Sequence, residues 1–128
     1  MNLLVDTHLL LWSAGQPEKL SEEARILLLD QNNSLIFSAA SLWEIAIKSS
    51  LGRSDFQVNP KILQRGLLDN GWCELMISSA HAIATGHLPS IHKDPFDRIL
   101  LAQADVEGFI LLTTDAKIAE YPGAIRKV

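Results

Sequence analysis

Leu3-Leu4-Val5-Asp6-Thr7 and Phe109-Ile110-Leu111-Leu112-Thr113-Thr114-Asp115 are two short apolar runs, each closed by an acid. Runs of this length, bounded by polar residues, read as buried strands. Leu35-Ile36-Phe37 is a third such run. Residues 73–77 (Cys-Glu-Leu-Met-Ile) alternate and predict an edge-like strand, and 124–127 predict a last one.

Helical signals fill the intervals. Residues 7–14 turn into a short helix stopped by Gly15 and Pro17. Ser21, followed by Glu22 and Glu23, caps a helix running to about residue 31, with the acids placed favourably in its first turn. Further helices are predicted over 38–50, closed by Gly52, over 60–70, ended by Gly71, and over 79–86. Asp94-Pro95 starts a long one through Glu107, capped by Gly108, and a short helix follows Asp115. Strands alternating with helices imply an α/β fold, a parallel sheet with helices on both faces. Ligands of such sheets bind outside the carboxyl ends of the strands, where Asp6 and Asp115 fall.

The totals set the frame. A chain of 128 residues, 48% hydrophobic and 20% charged, fits a single globular domain spanning 1–128. Its one cysteine, Cys73, forms no internal disulfide and reads as a small apolar core residue in a reducing cytosol. No apolar run approaches the ~18 residues needed to cross a bilayer. The N-terminus also lacks a basic leader, so a cytoplasmic protein is expected. The net charge of -4 argues against a passive nucleic-acid binder, which is usually basic. It leaves open an enzyme whose acids are screened by a divalent metal.

Each acid has a bland reading beside the functional one. Asp6 and Asp115 can each be a helix N-cap after a strand. Two strand-end acids sharing a cleft repel unless something positive sits between them. Glu44 lies among Leu42, Trp43, Ile45, Ala46 and Ile47, so its helix reads as largely buried. Glu44 and Lys48, four apart, then form a cleft-lining pair in preference to a solvated one. With Pro95 in the first helical position, Asp94 is a natural N-cap and Asp97 its partner at the third. Asp97, followed by Ile99-Leu100-Leu101-Ala102, can instead point into the cleft.

Four carboxylates gathered at one sheet end fit a hard cation, magnesium or manganese, and phosphodiester hydrolysis better than a zinc site. The sequence has no phosphate-binding glycine loop, no G-x-S-x-G, no H-E-x-x-H and no paired cysteines. His8 and His92 flank the acids but read as local hydrogen-bonding or surface groups, and Trp12, Trp43 and Trp72 as core.

Leu3-Leu4-Val5-Asp6-Thr7, the Glu44 helix, Asp97-Arg98-Ile99-Leu100-Leu101-Ala102-Gln103-Ala104 and Leu111-Leu112-Thr113-Thr114-Asp115 resemble, in order and spacing, the motifs of the PIN domain. Asp6-Thr7-His8 with Asp94-Pro95-Phe96-Asp97-Arg98 is similar to a bacterial subgroup of VapC-type toxins. The resemblance implies a three-layer α/β/α fold with a central parallel sheet, and cleavage of single-stranded RNA dependent on Mg2+ or Mn2+. It also implies an antitoxin, encoded beside the toxin, that inserts a segment into the acidic cleft, and a homodimer. By the same resemblance Asp6, Glu44, Asp97 and Asp115 form the acidic quartet. Thr113 matches the hydroxyl residue two positions before the last acid. His8 departs from the Asn or Ser frequent in the family, and the extra acid Asp94 competes with Asp97 for the metal; register favours Asp97.

The expected reaction is an in-line attack of water on a phosphodiester, leaving 5'-phosphate and 3'-hydroxyl ends. Asp6, Asp97 and Asp115 are the expected metal ligands, and Glu44 completes the shell or orients the water. Lys48 or Arg98 lies near the phosphate, with Arg53 and Lys93 as further local cations. One rival is another magnesium-dependent phosphate chemistry of the phosphatase or receiver type, for which the D-x-D and the acid pair are missing. The other is a catalytically silent PIN-like scaffold, which commonly lacks some of the acids.

Overall fold

β1 (Asn2–Val5) is the middle strand of the molecule, and its side chains explain the layering. Successive residues of a strand point to opposite faces. Leu3 and Val5 enter one hydrophobic core and Leu4 the other, all three fully buried. A strand buried on both faces reads as continuously apolar, which is why Leu3-Leu4-Val5 shows no alternation.

The computed structural model describes residues 1–52 and 56–128. Five strands form one parallel sheet in the order β3-β2-β1-β4-β5: β2 is Ser34–Ser38, β3 Cys73–Leu75, β4 Ile110–Thr113 and β5 Ile125–Lys127. The helices are α1 (Thr7–Gly15), α2 (Glu22–Leu29), α3 (Ala39–Ser50), α4 (Pro60–Asp69), α5 (Ser79–Ala84) and α6 (Pro95–Glu107). One core gathers Leu9, Leu10, Leu27, Ile45, Leu63 and Leu67 from the first four helices against Leu3, Val5, Phe37 and Leu112. The other packs Leu100, Leu101 and Ala104 of α6, with Ile118 and Tyr121, against Leu4, Ile36 and Leu111. The result is the expected three-layer α/β/α arrangement.

The helix ends follow local chemistry. Ser21 Oγ accepts the Ala24 N–H at 3.1 Å, and Asn59 Oδ1 accepts those of Lys61 and Ile62; both satisfy first-turn donors that have no partner within the helix. Gly108 ends α6 at φ 73°, a left-handed conformation that glycine adopts without a Cβ clash and that turns the chain into β4. From β1 the chain builds outward through β2 to β3, then crosses back past both to β4 on the other side of β1, so the sheet's order reverses between β1 and β4. Crevices at such a reversal are the ordinary ligand sites of open α/β sheets.

Three expectations change here. Cys73 is exposed, because β3 is a short strand at the sheet edge rather than a core element. Trp43 is 60% exposed, although Trp12 and Trp72 do pack against a core. α3 is therefore not buried all round: Ala40, Ser41, Glu44 and Ile45 face inward while Trp43, Ile47 and Leu51 at its end face out. Arg53 lies outside the described residues. No described helix is long and apolar enough to cross a membrane.

Candidate metal centre

Asp6 leaves β1 as the N-cap of α1, its Oδ1 accepting the Leu9 N–H at 2.9 Å. Its Oδ2 accepts the Thr113 hydroxyl at 2.5 Å, and Thr113 Oγ1 in turn accepts the Asp115 N–H at 3.0 Å. One hydroxyl thus ties the ends of β1 and β4 together. Asp115 repeats the pattern: Oδ1 accepts the N–H groups of Lys117 and Ile118, while Oδ2 lies 3.3 Å from His92 Nε2. Capping occupies one oxygen of each carboxylate and leaves the other for its neighbours at the strand ends.

Asp94 caps α6, its Oδ1 accepting the Phe96 N–H at 2.9 Å. In a capping box, Asp97 would reach back to the Asp94 N–H. That N–H is instead taken by His92 Nδ1 at 3.2 Å, and Asp97 Oδ2 lies 3.1 Å from His92 Nε2. The ligand-type atoms of His92, Asp97 and Asp115 all fall within 4.8 Å of one another, a group that does not extend to Asp6. Asp6 joins through Thr113.

Glu44 is 6% exposed on the inward face of α3. Lys48 Nζ donates to its Oε2 at 2.9 Å, whereas the buried Oε1 has no hydrogen-bond partner among the described residues. Such an oxygen, stripped of water, is costly unless a donor or cation reaches it.

The electrostatics express the same surplus of negative charge. Burial, joined by the charges of Asp94, Glu44 and Asp115 and opposed by His92, pushes the Asp97 carboxyl up to about 7. Burial also raises Asp6, against the hydrogen bonds from Thr113 and Leu9 and the nearby His8. Burial pushes Asp115 up as well, but the N–H bonds of Lys117 and Ile118, together with His92, outweigh it and hold its carboxyl below the usual range.

Of the residues singled out in the sequence, Asp97 and Asp115 converge directly, Asp6 joins by Thr113, and Glu44 acts on Asp97 by charge. Arg98 does not project into the cleft. Its guanidinium donates to Pro89 O, Thr85 O and Tyr121 Oη, fastening the loop before α6. His92 is the residue that sequence reasoning underrated. A clue was its place two residues before the Asp94 cap, where an imidazole can fold back over the first helical turn.

The fold has known relatives. The family model "PIN domain" matches residues 3–124. This chain belongs to the PIN domain family. Among solved structures, this PIN domain is similar to VapBC2 from Rickettsia felis bound to a promoter DNA fragment (TM-score 0.72, 16% identity, covering 99% of this chain and 98% of that one). It is similar to DNA-bound VapBC from Salmonella typhimurium (TM-score 0.65, 16% identity, 99% and 98% covered). A toxin-antitoxin complex from Klebsiella pneumoniae gives a TM-score of 0.63 at 19% identity, with 98% and 96% covered. At these identities the likeness is one of fold. No curated protein matches the chain in sequence.

Proposed function

We propose that this PIN domain works as a single-domain, metal-dependent endoribonuclease, the toxin of a toxin-antitoxin pair acting in the cytoplasm. The observation that carries the reading is the uncompensated negative charge at the switch point. Glu44 Oε1 is buried without a partner, and Asp97 is held up to about 7 by burial and by its acidic neighbours.

The donor set fits a hard divalent cation, since the acids offer oxygens and the only nitrogen among them is one imidazole. Asp97 and Asp115 are the ligands proposed, with Asp6 and Glu44 reached directly or through water. A bound magnesium or manganese ion supplies positive charge for the phosphate oxygens and lowers the pKa of a water. The chain's own residues do the rest. Thr113 fixes Asp6, the N–H groups of Lys117 and Ile118 fix Asp115, and Lys48 holds Glu44 while adding positive charge at the cleft. Water attacks the phosphodiester in line and leaves 5'-phosphate and 3'-hydroxyl ends.

An antitoxin partner is supported by the similar solved structures, which are toxin-antitoxin complexes. A groove of about 1010 Å³ between α1, α2 and α4, lined by Leu11, Leu20, Leu28, Leu63 and Trp72, offers an apolar seat for such a partner. Pairing of two copies belongs to the same proposal.

The test is cleavage of labelled single-stranded RNA with manganese by wild type and Asp6→Asn. The variant should fold normally by circular dichroism and lose at least ~100-fold in rate, the scale for removing one preorganised charge-stabilising group. Undiminished cleavage by the variant would sink the assignment. A folded wild type that binds RNA without cutting it would favour the silent scaffold.

A further inference from the structure

His92 is fastened at every polar atom. Its N–H donates to Tyr121 Oη at 2.6 Å, and its carbonyl accepts from the same hydroxyl at 3.3 Å and from Arg98 Nη1 at 3.5 Å. Tyr121 is buried in the α6-side core. Arg98 also ties down Pro89 O and Thr85 O, so the whole approach to α6 is clamped. At the ring, Nδ1 accepts the Asp94 N–H at 3.2 Å while Nε2 sits 3.1 Å from Asp97 Oδ2 and 3.3 Å from Asp115 Oδ2.

This wiring decides the imidazole's role. A histidine that coordinates a metal through Nε2 carries its proton on Nδ1 and donates it to a carbonyl, carboxylate or water. Here Nδ1 faces a backbone N–H, itself a donor, so the proton belongs on Nε2. An Nε2–H cannot coordinate; it can donate to the carboxylates it faces. Two acids that would otherwise repel are thereby held side by side.

We propose that His92 is a positioning residue and not a ligand: its Nε2–H bridges Asp97 and Asp115 and presets their spacing for the divalent cation. The inference rests on the metal-dependent reading above. It also assigns Arg98 and Tyr121 to holding the His92 backbone, which explains why Arg98 turns away from the cleft.

Manganese titration by calorimetry into wild type, His92→Ala and His92→Gln tests it, with pulsed electron paramagnetic resonance on the manganese-loaded wild type. Loss of a residue that orients a ligand costs about 10–100-fold in metal affinity, and His92→Ala should fall in that range. His92→Gln, which keeps an N–H donor on a side chain of similar reach, should recover part of the loss. The resonance spectrum should lack coupling from a coordinated imidazole nitrogen. That coupling, or wild-type affinity in His92→Ala, would overturn the proposal. If wild type itself binds no manganese, the metal reading fails and this inference with it, an outcome distinct from unchanged affinity in the variants.

Discussion

Two histidines in this protein are wired alike and surrounded differently. His81, 2% exposed, accepts the Ser78 N–H on Nδ1 at 3.0 Å and meets Glu107 with Nε2 at 2.8 Å. Gln103 lies beside it, with Oε1 accepting the Ser38 hydroxyl at 2.6 Å. One carboxylate serves one imidazole there, and the histidine completes a capping box on α5. His92 also takes a backbone N–H on Nδ1, but its Nε2 faces two carboxylates, with Asp94 and Glu44 acting on one of them. Polar burial in the first region is balanced and structural. In the second it leaves negative charge over, and that surplus marks a binding site.

The comparison predicts opposite costs. His81→Ala should lower stability by roughly 3 kcal/mol, because it opens a cavity and leaves the Ser78 N–H without its acceptor. Manganese affinity should stay unchanged. Chemical denaturation and calorimetry measure both, and an equal loss of affinity would erase the distinction between the regions.

A smaller effect, of contrary sign, is expected at Asp97. Its carboxyl titrates near 7 in the fold against 3.8 normally. Between those values the folded state holds a proton that the unfolded chain has released. Stability of the metal-free protein therefore falls as pH rises through that window. Thermal melts should show Tm dropping from pH 5 to pH 8 in wild type and dropping less in Asp97→Asn, which cannot ionise. A cation reverses the penalty, so added manganese should raise the wild-type Tm more at pH 8 than at pH 5. A pH-independent Tm in both proteins would remove the charge surplus from the account.

The layered fold was legible because β1 and β4 are apolar without alternation, and Asp94-Pro95 and Gly108 punctuate α6 plainly. The edge was less so. The alternation over residues 73–77 marked a strand, yet only Cys73–Leu75 pairs, and Cys73 is exposed at this edge of the sheet. Asp6 and Asp115 could be placed at strand ends from the sequence alone. Glu44 was singled out on the premise of a largely buried helix, but α3 exposes Trp43 and Ile47 and turns its acid inward. Periodicity locates a face; it does not say that the buried face carries the acid. His92 could not be ranked, because its role depends on a ring folding over a helix start and meeting an acid 23 residues away.

The most direct measurement is calorimetric titration of manganese into the folded, metal-free protein, beside the Asp115→Asn variant. Saturable binding by wild type, lost or weakened at least tenfold in the variant, is the predicted result. No saturable binding by wild type, or equal binding by both, would contradict the claim that the charge surplus at the ends of β1 and β4 is a cation site.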